Sequence, residues 1–204
     1  LQPLWPGSSD FARLCVRKGV TTAADLANLL PDKAVEMMLR VTGEPMFPAR
    51  IVSLRRHQGL PVPDLIARAV ELKAKSTDRL RLGIIKIVAD GSIQGFSARL
   101  RWPGYYNGAP NGLWYVPPEQ LREAYKLALR DGVQIHTHTN GDEATELVLD
   151  CIEEALRAHL DFEPDEVPQA MARAHEALVG KGLSNAEFDA LYDMLDAERV
   201  EALF

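Results

Sequence analysis

The chain has 204 residues, 23 Lys and Arg against 29 Asp and Glu for a formal net charge of −6, and is 47% hydrophobic and 25% charged. This is ordinary globular composition, which excludes a disordered, collagen-like or low-complexity chain. The acidic balance, with no Lys/Arg run interleaved with aromatics, argues against a nucleic-acid-binding surface.

Cys15 and Cys151 are too few for a disulfide framework. A reducing compartment, and hence a cytoplasmic location, is the expectation. No run approaches the roughly 18 apolar residues of a membrane span, so no membrane association is expected. The sequence opens at Leu1 without a basic-then-apolar leader, and the native N-terminus is expected upstream. The length suits one domain, at the bottom of the range of about 200 to 400 residues for a (β/α)8 barrel.

In chain order, Ser8 or Ser9 caps a short helix through Phe11, Leu14 and Cys15 that Gly19 ends. Val20-Thr21-Thr22 then begins a strand. Pro31 opens a helix over 32–42, with Ala34, Met37, Met38 and Val41 on one stripe and Gly43 at its end. Residues 46–54 read as a strand, and Pro63-Asp64 starts a helix carrying Leu65, Ile66, Ala69, Val70 and Leu72. The nearly continuous apolar run GIIKIVA over 83–89 is expected of a strand covered on both faces. Pro117-Pro118-Glu119 opens a helix through Leu121, Ala124, Tyr125 and Ala128, stopped by Asp131-Gly132; a strand over 133–140 and a helix over 142–160 follow.

Alternation of strands and helices predicts parallel strands with crossover helices, either a doubly wound sheet or part of a barrel. The connection from Gly91 to Val116 breaks the rhythm. It is long, rich in glycine, and carries Trp102, Tyr105, Tyr106, Trp114 and Tyr115. Connections of this length are usually lids or binding loops, the alternative being a loop packed by its own aromatics. After Leu160 an acidic, proline-bearing stretch leads to two amphipathic helices, 168–180 and 184–195, the second with a capping box of Ser184 and Glu187.

The segment VQIHTHTN carries the most chemistry. Side chains alternate along a strand, so Gln134, His136, His138 and Asn140 share one face. A parallel strand with one wholly polar face needs a polar interior, which the mouth of a barrel supplies. Two histidines two residues apart can converge on one metal ion, or form a hydrogen-bonded polar layer. Lys86 interrupts the apolar run over 84–88. A bare ammonium there must pair, neutralise or be modified, so an ion pair, a Schiff-base amine and a metal-bridging carbamate are all open. A fourth outcome is an edge strand from which Lys86 snorkels to solvent.

Asp90-Gly91-Ser92 closes the lysine strand at the end where a barrel carries its catalytic groups. Asp142 is placed to cap the following helix, a structural role. Thr21, Thr22 and Asp25 are read as the polar end of an earlier strand. His57 reads as a solvated loop residue and His159 and His175 as surface residues. Arg99 and Arg101 are candidates to hold a substrate carboxylate, with solvated charge as the alternative.

Taken together, GVTTAADL over 19–26, IKIVADGSIQGFSARL over 85–100 and GVQIHTHTNGDEA over 132–144 resemble the amidohydrolase superfamily. More narrowly, they resemble the amidohydrolase 3 branch that includes N-substituted formamide deformylases. The resemblance spans roughly Phe11 to His159. It implies an α/β fold, part of a metal-dependent hydrolase (β/α)8 TIM-type barrel of about four β/α units. It also implies one or two divalent metals, usually zinc, at the strand C-termini. Lys86 matches the strand-four lysine that is carboxylated and bridges the metals in many relatives, and His138 matches the strand-five histidine ligand. His136, Asp90, Asn140 and Arg99 are then contacts behind the ligands or to substrate. The implied reaction is hydrolysis of a small-molecule amide or related C–N bond, a metal-activated water attacking a metal-polarised carbonyl.

The family's strand-one His-x-His is expected upstream of Leu1, and neither its strand-six histidine nor its strand-eight aspartate has a counterpart after Leu160. The expectation is therefore the middle of a longer enzyme with an incomplete site: residues 1–160 a partial barrel, 161–204 a helical tail of unknown relationship. Two other functions fit the same residues. One is an aldolase-like barrel with Lys86 as its Schiff-base amine. The other is a catalytically incomplete half-barrel that self-associates as a homo-oligomer or acts as a binding module, since four strands leave two open edges.

Overall fold

The computed structural model describes residues 8–160. Helix α1 (Ser8–Arg17) leads to strand β1 (Thr22–Asn28), and α2 (Asp32–Thr42) to β2 (Arg50–Arg56). Helix α3 (Val62–Lys73) and β3 (Leu80–Val88) follow, then α4 (Pro118–Arg130), β4 (Ile135–His138) and α5 (Asp142–Leu160). The helices expected over 168–180 and 184–195, the capping box at Ser184 and the surface position of His175 lie outside the described residues. No helix among the described residues is long and apolar enough to cross a membrane.

All four strands pair in parallel in the order β1-β2-β3-β4. A doubly wound sheet reverses direction at a switch point, whereas each strand here is laid beside the one before it, as in a barrel. The fold is α/β, a four-strand segment of a TIM-type barrel. The chain divides into two compact units. One comprises Leu1–Val88 and Val133–His138 and contains the whole sheet; the other comprises Ala89–Gly132 and Thr139–Phe204.

In the sheet unit, Leu30, Val35, Met38, Phe47, Ile51, Leu72, Leu80 and Leu82 form a buried apolar cluster with Ala12 and Ala49. Helix α2 has the expected bounds but buries Val35, Met38 and Thr42, while Ala34, Met37 and Val41 flank that line, partly buried. Helix α3 buries Leu65, Ile66, Ala69 and Leu72, with Val70 turned outward at 43% exposure. Helix α1 buries Ala12, and its Phe11 and Leu14 are exposed.

The starts of β2 and β3 differ from the sequence expectation for backbone reasons. Residues 46–49 keep the alternation of a strand, with Phe47 and Ala49 buried, but Pro48 has no N–H to give a ladder, and β2 starts at Arg50. Strand β3 starts earlier, at Leu80, ahead of a one-residue bulge. Val52 pairs with Arg81 and Leu54 with Ile84, so two residues of β2 span three of β3. Gly83 sits at the bulge with φ +85, and a Cβ there would lie 2.5 Å from Lys73 Cβ and 2.8 Å from the Ala69 carbonyl oxygen. Only glycine fits both the left-handed backbone and the close approach of α3.

The bulge has a consequence for the chemistry. Without it, Lys86 would follow Leu80 and Leu82 into the apolar layer. With it, Leu80, Leu82, Ile85 and Ile87 share the buried face, and Ile84, Lys86 and Val88 share the other.

In the second unit, α4 buries Leu121, Ala124 and Ala128. Helix α5 buries Ala144, Val148, Cys151 and Ala155, one stripe at helical spacing. Arg122 on α4 and Glu154 on α5 form an ion pair at 3.0 Å.

Candidate functional site

Strand β3 has a partner on each side, so Lys86 is on an interior strand and the edge-strand account of it is withdrawn. Its register partners are Arg56 on β2 and His136 on β4, and the next pair along is Val88 with His138. Lys86, His136 and His138 therefore lie on one face at the C-terminal end of the sheet, as alternation predicts. Gln134 belongs to the same face, its Oε1 accepting from Arg81 Nη2 at 3.2 Å.

The electrostatics of this row are unusual. Lys86 is partly buried with a guanidinium on one side and an imidazole on the other, and no carboxylate pairs with it among the described residues. Burial holds the Lys86 ammonium below its ordinary range. His136 is exposed at its surface, and partial desolvation by its neighbours and then the Lys86 charge lower its imidazole. An anion placed on this row would offset the local positive charge.

His57, expected to be solvated, is half-buried just beyond β2. Its backbone N–H donates to the Lys86 carbonyl at 2.9 Å, and its Nδ1 is buried without a hydrogen-bond partner among the described residues. Burial lowers its imidazole, opposed in part by the Lys86 carbonyl and reinforced by Arg56 and Arg55. The sequence signal for this residue was faint: one histidine after two arginines. Arg56 has no sequence signal of its own, since only the β2–β3 register places it beside Lys86.

Thr22 opens β1 and Asp25 sits within it, so Thr21 and Thr22 belong to the strand's N-terminal end, not to the end that carries Lys86 and His138. Asp25 Oδ2 accepts from Ser53 Oγ at 3.1 Å and from Asn28 Nδ2 at 2.9 Å. Asp25 thus bridges Ser53 on β2 and Asn28 at the end of its own strand.

The second unit gathers the other sequence-selected residues. Asp90 is fully buried, and its carboxylate accepts three backbone N–H groups: Asn140 at 2.9 Å on Oδ1, and Arg99 at 2.9 Å and Gly141 at 2.8 Å on Oδ2. Asn140 Nδ2 donates to the Gly91 carbonyl at 2.8 Å. Asp90 thus ties the start of the long loop to the turn before α5, which accounts for the end of β4 at His138 instead of residue 140.

Arg99 pairs with Glu143 at 2.7 Å and lies 5.1 Å from the Trp114 ring centroid, leaving Nε buried without a hydrogen-bond partner among the described residues. Arg101 pairs with Glu146. Asp142 Oδ1 accepts the Arg101 N–H at 2.9 Å, and that bond is the first cause of its lowered carboxyl pKa. Within the loop, Phe96 and Tyr105 stack edge to face at 5.3 Å and Tyr105 Oη donates to the Ala98 carbonyl. Trp102 and Tyr106 remain almost wholly exposed. His159 is exposed, as expected.

Among the described residues no three His, Cys, Asp or Glu side chains converge as a metal cluster. The donors that the face does offer are Lys86, His136 and His138, all on neighbouring strands. Imidazole nitrogens are metal donors in general, and a lysine must lose its positive charge before it can ligate.

Sequential parallel strands, with an interior lysine and a His-x-His pair at their C-terminal ends, define a segment of a (β/α)-barrel protein. Comparison with known proteins identifies which. Residues 8–202 match the sequence profile of the amidohydrolase family, and the chain belongs to that family. The match includes residues 161–202.

Two curated relatives are similar. Protein LONG AFTER FAR-RED 3 of Arabidopsis thaliana is 27% identical over 158 residues, covering 74% of this chain and 27% of that protein. The YtcJ protein of Bacillus subtilis (strain 168) is 29% identical over 124 residues, covering 61% of this chain and 22% of that protein. The chain thus spans about a quarter of the length of the curated relatives it matches. Two crystal structures of uncharacterized metal-dependent hydrolases share the fold. The one from Pyrococcus furiosus has a TM-score of 0.56 at 22% identity, over 72% of this chain and 30% of that one. The one from Pyrococcus horikoshii OT3 has a TM-score of 0.54 at 20% identity, over 70% of this chain and 28% of that one.

Proposed function

We propose that this chain is part of a metal-dependent hydrolase acting on amide-type C–N bonds of small molecules, and that Lys86 and His138 are its contribution to the metal centre. One observation carries the reading: a partly buried lysine on an interior strand is flanked by Arg56 and His136, with His138 one row further along the same face. Family membership and the structural neighbours named as metal-dependent hydrolases support it.

The residues divide the work as follows. Loss of the Lys86 proton gives a free amine, and its attack on CO2 forms a new N–C bond and releases one proton, leaving a carbamate anion. That anion relieves the positive row and is itself a divalent-cation ligand. His138 supplies a neutral imidazole nitrogen. His136, on the other side of Lys86, orients a ligand or contacts the substrate. Lys86 as its carbamate and His138 would hold a divalent cation, zinc being the best match to imidazole donors, and that cation would supply the acidity for a water and the polarisation of the amide carbonyl. In the other unit, Asp90 and Asn140 hold the loop start and the turn before α5 in fixed geometry.

The carbamate is tested by carbon-13 NMR of the chain equilibrated with labelled bicarbonate, with and without zinc. A carbamate carbon that vanishes in Lys86→Arg supports the reading. No such carbon at any pH between about 7 and 9 removes the carbamate from it.

A second reading rests on the sheet edges. The outer edges of β1 and β4 have no strand partner among the described residues. Open edges pair with other strands, so the chain by itself is expected to self-associate. Sedimentation shows this as a mass that rises with concentration; a monomer across the range ends it.

A further inference from the structure

The sheet unit carries a cavity of about 620 Å³ on the face opposite Lys86. It lies where the β1–α2 and β2–α3 connections meet α3, lined by Leu29, Leu30, Leu60, Arg55, Asp64 and Arg68 among others. Arg55 follows Ile51 and Ser53 along β2 and pairs with Ile85, whereas Arg56 pairs with Lys86; the two arginines therefore point to opposite faces.

Arg55 is only 6% exposed. Its Nη1 donates to the carbonyls of Arg56 and Gln58, the latter at 3.1 Å, and no carboxylate pairs with it among the described residues. Of the three acids that line the cavity, Asp32 and Glu71 are already engaged, and Asp64 is exposed at the start of α3. Arg68 holds Asp32 and Glu71, each at 2.6 Å, and Lys75 holds Glu71 as well at 2.6 Å. Burial, and then the charge of Arg68, lower the Arg55 pKa. A guanidinium buried without a counter-anion is costly, and this one borders a cavity.

The wall itself is held in an uncommon state. Leu30 is buried at φ +46, a backbone conformation that a branched side chain rarely adopts. Two bonds fix it there. Its N–H donates to Asn28 Oδ1 at 2.9 Å, and its carbonyl accepts from Arg68 Nη2 at 3.2 Å. Backbone strain of this kind collects at ligand clamps. Leu29 and Leu60, both exposed, line the same cavity as Arg55 and give it apolar surface.

We propose that this cavity binds a small organic monocarboxylate, its carboxylate on Arg55 and its aliphatic tail against Leu29, Leu30 and Leu60. The planar guanidinium matches a carboxylate in two-point geometry, and the apolar surface selects a tail over a bare ion. Asp64, exposed in the first turn of α3, repels a second negative charge, so a monoanion is preferred to phosphate. This site does not depend on Lys86 or on any metal.

The test is calorimetric titration of the full chain with butyrate, with n-butylamine and inorganic phosphate as controls. Saturable butyrate binding is expected with a dissociation constant on the order of 1 mM, and none for n-butylamine. Arg55→Gln should weaken it about tenfold or more, and Leu29→Glu, at an exposed position of the lining that leaves Arg55 in place, should do the same. Lys86→Gln should leave it unchanged, which separates this site from the proposed metal centre. No saturation below ~20 mM butyrate overturns the proposal. Equal binding of n-butylamine or tighter binding of phosphate also overturns it, as does loss of binding in Lys86→Gln. If Arg55→Gln fails to fold, judged by circular dichroism, Leu29→Glu decides: unchanged binding there overturns the site.

Discussion

The Asp90 carboxylate accepts the Gly141 backbone N–H at 2.8 Å, joining two segments that are 51 residues apart in sequence. The same carboxylate takes the N–H groups of Arg99 and Asn140, so one buried side chain satisfies three main-chain donors. Removing it leaves all three without that acceptor. Asp90→Ala should cost about 3 kcal/mol or more, since each buried unsatisfied donor costs roughly 1–3 kcal/mol. Thermal unfolding should show a midpoint lower by about 10 °C. A shift within ~2 °C would mean that water replaces the carboxylate without penalty.

Gly83 is the second strict position. Gly83→Ala must place a Cβ 2.5 Å from Lys73 Cβ and hold φ at +85. Straightening the bulge instead would turn Lys86 toward the apolar layer. The variant should lose about 2–4 kcal/mol in urea unfolding, and an unchanged midpoint would show that the bulge relaxes freely.

The order of elements and the helix bounds of α2 and α5 were legible in the sequence, because apolar spacing and Pro/Gly punctuation are local signals. The polar face of β4 was legible for the same reason: His136 and His138 are two residues apart. What decides the setting of Lys86 is not local. The β2–β3 register that brings Arg56 alongside, and the bulge at Gly83 that sets its face, both depend on pairing between distant segments. Likewise, DGS at the end of β3 showed Asp90 to be at an interesting place, but not that its oxygens are consumed by backbone donors 9, 50 and 51 residues away. The loop arginines show the same limit. Arg99 and Arg101 find Glu143 and Glu146 on α5, partners set by tertiary folding alone.

The two thiols should differ in reactivity. Cys151 is 1% exposed on α5, and burial pushes its thiol up to about 11, whereas Cys15 is half-buried near the end of α1. A disulfide reagent at about pH 8 should label one thiol per native chain, at Cys15, and both in urea. Equal labelling rates in the native chain would contradict the burial of Cys151.

Acid should destabilise the sheet unit through its histidines. His57 and His136 are both held below the ordinary imidazole value of 6.5, half-buried His57 by burial first and the more exposed His136 by partial desolvation and then the Lys86 charge. The unfolded chain then binds more protons than the folded one between the lowered values and 6.5, so stability rises with pH across that window. It is complete above about 6.5 and is lost as pH falls toward the folded-state values. Urea midpoints should fall between about pH 7 and about pH 5.5, and the slope should flatten in the His57→Gln/His136→Gln double variant. A slope unchanged by the double substitution would assign the effect to other groups.

Whether Lys86 and His138 hold a metal decides the proposed function most directly. Titration of the full chain with cobalt(II) in the presence of bicarbonate, followed by its visible absorption, reports binding and coordination together. The prediction is a saturable spectrum, displaced by zinc, that is lost in His138→Ala and weakened at least about tenfold in Lys86→Ala. Absence of a saturable spectrum, or one that persists unchanged in both variants, would contradict the proposed metal centre.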